Sequence, residues 1–304
     1  MLNTGHGTFG SQVTYLIGYW AYNMAVADVN GDNRPDIIVA NSEQSTIGVL
    51  LNTGSGTFGN QVTYWGGSYP RGVAVADVNG DNRPDIIVTN AYSNTVSVLL
   101  NIGSGTFGGP TTYLASSYPY SVAVADVNGD NRPDIVVTNA GNNNIGVFMN
   151  MGSGSFSNQV TYPVGDWPMW VAVADVNADG HPDIIVANSN NVGVLLNTGS
   201  GSFSTQVTYT VGFWLNFVTV ADMDGDSLPD IIVTNTGSSS VGVLRNKGSG
   251  IFDTQVIYAV GNTPYCVAVA DVNGDGGRDM IVANGGSNNV SVILTDCICR
   301  QCWI

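Results

Sequence analysis

Apolar residues along this chain alternate in short runs and never follow a helical period. Val73-Ala74-Val75-Ala76 alternates small and branched residues. Asp85-Ile86-Ile87-Val88-Thr89 is a short branched run, and Thr95-Val96-Ser97-Val98-Leu99-Leu100 alternates with period two. The turn Asn101-Ile102-Gly103-Ser104-Gly105-Thr106-Phe107 follows, then Thr111-Thr112-Tyr113. Such runs, bounded by Gly, Asn and Ser, predict four strands within residues 70–118. No apolar run reaches 18 residues, so no membrane insertion is expected.

The pattern recurs. A loop that reads Asp77-Val78-Asn79-Gly80-Asp81-Asn82-Arg83-Pro84-Asp85 has siblings beginning at Asp28, Asp126, Asp175, Asp222 and Asp271, at intervals of 47 or 49 residues. Four short strands per repeat of this length predict a blade, and the six copies predict an all-β, six-bladed β-propeller of four-stranded antiparallel blades. The expected domain is residues 1–294, followed by a cysteine-containing tail at 295–304. The C-terminal end supplies three strands of the sixth blade. The segment Gln12-Val13-Thr14-Tyr15 is expected to close the ring as its fourth, which would remove an open sheet edge. A fragment of a longer ring is the alternative, because Met1 falls where a blade would be half complete.

The loop carries the chemistry. Oxygens at alternate positions suit a hard divalent cation, with side chains at positions one, three, five and nine and a backbone carbonyl at seven. The candidate ligands are Asp28, Asn30, Asp32, Arg34 and Asp36; Asp77, Asn79, Asp81, Arg83 and Asp85; and Asp126, Asn128, Asp130, Arg132 and Asp134. The later copies give Asp175, Asn177, Asp179, His181 and Asp183; Asp222, Asp224, Asp226, Leu228 and Asp230; and Asp271, Asn273, Asp275, Gly277 and Asp279. Position six, held by Asn33, Asn82, Asn131, Gly180, Ser227 and Gly276, must turn sharply, which Asn and Gly tolerate best. Asx turns with solvated aspartates are the plain alternative, disfavoured because crowded carboxylates repel. An EF-hand is excluded, since position twelve is Val88 and a strand follows.

These residues resemble a known family. Val73 to Val88, followed by Val96-Ser97-Val98-Leu99-Leu100-Asn101 and Gly105-Thr106-Phe107, is similar to the FG-GAP/VCBS repeat, a family that includes the integrin α-subunit propeller. The resemblance covers nearly all of the chain before Leu294 and implies a propeller bearing Ca²⁺ at about six sites. It does not imply one function, since the family includes adhesion receptors, lectins and domains attached to enzymes. Ala178 departs by replacing a loop glycine, Asp224 by replacing Asn, and Arg278 by replacing proline.

Charge fits this picture. Of 23 acidic residues in a chain of formal charge −15, all but Glu43, Asp166, Asp253 and Asp296 lie in the loops. Six divalent cations would leave a net charge near about −3. Eight Lys and Arg in total argue against nucleic acid. The start lacks the basic and apolar regions of a signal peptide. Cys297, Cys299 and Cys302 suggest a disulfide or an incidental tail in preference to a metal knuckle. Gly54-x-Gly56-x-x-Gly59 matches a dinucleotide fingerprint, but a strand follows it where that motif needs a helix, so Phe58 and Phe107 are expected to pack inward.

Strand alternation puts the aspartate loops and the Asn-x-Gly turns at one end of each blade. The other end carries aromatics and an Asn/Ser-rich loop, and differs most between copies. Trp20, Tyr69, Tyr118, Trp167 and Trp214 share one position there and fit packing or recognition equally. Tyr22, Arg71, Tyr120, Met169, Trp170 and Tyr265 are the candidate ligand-binding residues, because aromatic platforms beside amides suit sugar or protein recognition. Only His6 and His181 are present and no nucleophile motif appears, so no enzyme is expected. The sequence therefore points to a calcium-stabilised extracellular recognition or adhesion module that binds a protein or glycan. A lectin, or a non-catalytic domain of a larger secreted enzyme or receptor, is the alternative.

Overall fold

A computed structural model describes residues 3–5 and 8–295. The chain forms an all-β propeller of six blades, and among the described residues the regular elements are strands apart from two single-turn 3₁₀ segments, Ala140–Asn142 and Thr236–Ser238. The described residues divide into two compact units, one of residues 14–163 with 199–201 and one containing the rest.

The first unit holds three four-stranded antiparallel sheets. They comprise Ala21–Ala27, Asp36–Asn41, Thr46–Leu50 and Val62–Trp65; Pro70–Ala76, Asp85–Asn90, Thr95–Leu99 and Thr111–Leu114; and Pro119–Ala125, Asp134–Asn139, Asn144–Phe148 and Val160–Pro163. Within each, strands pair in chain order, with Ile86 opposite Val75 on one side and Leu99 on the other. The second unit holds the four-stranded sheets that begin at Trp170 and Leu215, and a three-stranded sheet of Pro264–Ala270, Asp279–Asn284 and Asn289–Ile293.

Second and third strands of the first five sheets are buried along most of their length, with side chains of both faces covered, whereas the third strand of the sixth, Asn289–Ile293, is largely exposed. The core is therefore a series of interfaces. Ile38, Ile47 and Val49 of the first blade pack on Val73, Ile86, Val88 and Leu99 of the second. Val78, Ile87 and Val98 of the second pack on Ile135, Val137 and Phe148 of the third. Burying each Ile or Leu stabilises by about 1.5–3 kcal/mol. Phe107 packs inward as the sequence predicts, in the core between the first two blades, with Tyr64 edge-on at 5.4 Å.

The described residues do not show the closing strand expected at Gln12–Tyr15. This segment belongs to no strand, and the sixth sheet has three. Every observed fourth strand follows its third through one short hairpin, so its closure entropy is small, whereas residues 12–15 would have to pair from the far end of the chain. Burial gives little compensation, since Leu16 is 97% exposed. Tyr15 still makes the contact its position calls for. Its ring meets Phe58 edge-on at 5.5 Å, as Tyr64 meets Phe107. The tail cysteines Cys297, Cys299 and Cys302 lie outside the described residues, as does His6.

Candidate functional site

Each aspartate loop is organised by its own carboxylates. In the second copy, Asp77 Oδ1 accepts the N–H of Gly80 at 2.7 Å and of Asp81 at 3.2 Å, and its Oδ2 accepts that of Asn82 at 2.7 Å. Asn79 Oδ1 accepts the N–H of Asp81, and Asp81 Oδ1 accepts that of Arg83. Positions four and six take positive φ in all six copies, including Asn82 at 60°, Ser227 at 72° and the non-glycine Ala178 at 62°. The sharp turn read from the sequence is thus present in every loop. In the sixth copy, N–H donation from Gly274 and Gly276 holds the Asp271 carboxyl below its ordinary range.

Position nine has a structural task. Asp36, Asp85, Asp134, Asp183, Asp230 and Asp279 are all buried. Asp85 Oδ2 accepts the Val78 N–H at 3.0 Å, and its Oδ1 accepts the Asn101 N–H at 2.8 Å, which ties the loop to the Asn-x-Gly turn. Burial pushes the Asp85, Asp134 and Asp183 carboxyls up, and that of Asp230 to about 6.

Position seven separates the copies. Arg34, Arg83 and Arg132 fold back onto Asp32, Asp81 and Asp130 at 2.5, 2.5 and 2.6 Å, so a guanidinium relieves part of the crowding in the first three loops. His181, Leu228 and Gly277 form no such ion pair among the described residues. His181 donates its backbone N–H to Asp179. In the fifth loop Asp222, Asp224 and Asp226 place carboxylate oxygens within 4.8 Å of one another, and Asp224 Oδ1 is buried without a hydrogen-bond partner. This all-oxygen donor set fits a hard divalent cation.

The opposite end of the blades holds a different assembly. Tyr22, Arg71 and Tyr120 occupy equivalent positions on the first strands of three consecutive blades. Arg71 is 8% exposed. Its Cζ lies 3.7 Å from the Tyr22 ring centroid and 4.6 Å from that of Tyr120. Nη1 donates to the Tyr120 hydroxyl and Nη2 to that of Tyr118, both at 2.9 Å. Gly72 permits this approach, because a Cβ there would lie 2.8 Å from the Tyr120 carbonyl oxygen. The Thr89 hydroxyl completes the link, accepting from Gly72 N and donating to that carbonyl.

Tyr69 and Tyr118 join the cluster from the shared aromatic position. Their φ angles are 58° and 57°, and those of Trp20, Trp167 and Trp214 lie between 49° and 56°. A large side chain at positive φ is strained. The turn is held in part because the Tyr69 carbonyl accepts the Ala91 N–H and the Tyr118 carbonyl that of Ala140. Tyr92 was not singled out in the sequence. It stacks on Tyr69 at 4.1 Å with a 9° interplanar angle and is 62% exposed. It is the one aromatic among the six loops between second and third strands, a signal that comparing the copies would have revealed. In the other unit Trp170 packs with Phe217 against core residues, Met169 is half-buried, and Tyr265 is exposed.

Stacked four-stranded blades with an Asp-rich loop between first and second strands define a repeat β-propeller. The family model for the FG-GAP-like repeat matches residues 28–88, 77–137, 126–186, 175–233 and 222–282. The chain belongs to the FG-GAP-like repeat family. No curated protein matches it significantly. Among solved structures it is similar to an Agrocybe aegerita lectin described as recognising non-reducing terminal N-acetylglucosamine, at 23% identity and TM-score 0.61, over 91% of this chain and 81% of that one. It is also similar to virginiamycin B lyase from Staphylococcus aureus, at 13% identity and TM-score 0.60 over 91% and 85%. A Desulfotomaculum acetoxidans protein of unknown function matches at 15% identity and TM-score 0.63 over 91% and 86%. At these identities the likeness is one of fold. No helix among the described residues is long and apolar enough to cross a membrane.

Proposed function

We propose that this chain is a recognition module that binds a glycan or protein ligand at the aromatic end of its blades, while Ca²⁺ in the aspartate loops stabilises the scaffold. The observation that carries this reading is the cluster of Tyr22, Arg71, Tyr118 and Tyr120, with the stacked pair of Tyr69 and Tyr92 beside it. Large amphipathic rings and a buried guanidinium are the side chains that dominate binding hot spots. The reading is of binding without catalysis. A glycan ligand is favoured over a protein because exposed flat rings such as Tyr92 suit the apolar faces of sugars. The likeness to a lectin is in keeping with that preference.

In the loops, Asp, Asn and Asp side chains at positions one, three and five would hold the cation with the position-seven carbonyl, and the ion would neutralise crowded carboxylates. Extracellular calcium modules bind with Kd on the order of 10⁻⁴–10⁻³ M. Such sites fill in millimolar calcium, so secretion or surface display is part of the proposal.

A glycan array probed with the wild type, a Tyr120→Ala/Arg71→Ala double variant and Asp81→Ala tests the division of labour. The double variant is expected to lose binding with the aspartate loops intact. Asp81→Ala is expected to lower the melting temperature and keep binding. Loss of binding in a folded Asp81→Ala protein would place the cation in the ligand site and refute the assignment of ends.

A further inference from the structure

Arg71 is a permanent positive charge, almost wholly buried, and no carboxylate forms an ion pair with it among the described residues. Its surroundings are four tyrosines, with ring centroids 3.7 to 5.6 Å from Cζ. Neutral phenols give cation–π attraction and hydrogen-bond acceptance but no counter-charge. Burial pushes the Tyr120 and Tyr69 hydroxyls above their ordinary range, so neither supplies a phenolate at neutral pH.

The hydrogen-bonding pattern adds direction. Nη1 and Nη2 are each committed to a hydroxyl, while Nε–H is buried without a partner. A guanidinium side edge made of Nε–H and the second hydrogen of Nη2 matches a carboxylate bidentately. Tyr22, at 43% exposed, is the most exposed ring against the guanidinium, so its displacement would uncover that group.

We propose that the Arg71 guanidinium, through its unpartnered Nε–H, is the subsite for an anionic group on an acidic glycan, a sugar carboxylate or sulfate whose ring lies toward the Tyr69–Tyr92 stack. The inference rests on the reading of this end as the recognition surface and gives that surface a ligand class. A buried charge without a counter-charge is costly to keep, and a ligand anion offsets that cost only in the bound state. This favours acidic over neutral sugars.

The test is an array that presents one oligosaccharide ending in either glucuronate or glucose. The calcium-loaded wild type is expected to retain the glucuronate form more strongly, by about tenfold or more. Inorganic sulfate in solution is expected to reduce that retention. Arg71→Gln is expected to abolish the preference, and Arg71→Lys, which keeps the charge but not the fork, to fall between, with melting curves read for each. Equal retention of the two sugars, or a preference that survives in Arg71→Gln, overturns the proposal. If the neutral sugar alone is retained, the recognition surface stands and the anion subsite falls. Retention of an acidic peptide in place of both sugars overturns the glycan assignment. Should Arg71→Gln fail to fold, Arg71→Lys and sulfate competition on the wild type decide the matter.

Discussion

The Asn101 side chain donates to the Val29 carbonyl, 72 residues upstream in the preceding blade, at 2.8 Å. It donates to Pro84 O in its own blade at 3.0 Å. Asn150 repeats this with Val78 and Pro133, and Asn246 with Val176 and Pro229. The first residue of the Asn-x-Gly turn is in these three copies a staple between the aspartate loops of adjacent blades. In the first blade the Asn52 side chain donates, among the described residues, only within its own blade, to Pro35 O.

Asn101→Ala should leave the buried Val29 carbonyl and the partly buried Pro84 carbonyl short of a donor and destabilise by about 1–3 kcal/mol. Asn52→Ala should cost clearly less. Urea denaturation of the two variants against the wild type measures the difference, and equal losses would show that the bond between blades contributes nothing.

Ala178 holds a positive φ of 62° where five of the loops have glycine. Ala178→Gly should relieve αL strain of about 1–2 kcal/mol, less the added entropy of a glycine in the unfolded chain, for a net gain of about 0.5–1 kcal/mol. Gly80→Ala, at φ 79° with open space around the position, should destabilise by a comparable amount. Paired denaturation curves give both signs.

Gly72→Ala places a methyl group against the Tyr120 carbonyl oxygen at 2.8 Å and the Ser121 Cα at 3.0 Å, both backbone atoms. Neither can rotate away, so the first strands of two blades must separate, at about 1–3 kcal/mol. The same movement should take Arg71 from Tyr120. Tyrosine fluorescence and melting should therefore change together, and a change in melting alone would separate the glycine from the cluster.

Stability should depend on pH in opposite senses with and without calcium. Asp85, Asp134, Asp183 and Asp230 have folded pKa values raised by burial, that of Asp230 to about 6. The folded state thus binds protons more tightly, and metal-free stability should fall as pH rises from about 4 to 6. The half-buried Asp130 and the exposed Asp179 and Asp271 are shifted down, away from this window. Calcium requires deprotonated carboxylates, so its stabilisation should grow over the same range. Melting in EGTA and in millimolar Ca²⁺ at half-unit pH steps reads both slopes, and identical curves would refute cation occupancy of the loops.

Much of this protein is legible in one dimension. The blade count, strand order and loop turns follow from local periodicity and from residues with special φ requirements. Asn82, Gly80 and Asp85 act within a few residues of their own positions or across one hairpin. Repetition strengthened the signal, because six independent copies carried the same pattern.

Tertiary structure decided what depends on neighbours far away in sequence. Position nine reads as a ligand, yet burial and the N–H groups of Val78 and Asn101 give Asp85 a structural task first. Trp170 and Arg71 both read as surface-facing, but packing sends Trp170 onto Phe217 and buries Arg71 among rings from three blades. Tyr92 becomes part of that assembly only through its stacking on Tyr69. The strand expected at Gln12–Tyr15 is absent because its ladder needs a partner nearly 280 residues away, whereas the Tyr15 ring needs only Phe58. Side-chain type and spacing are local properties. Burial, and the partner each group meets, belong to the contacts between blades.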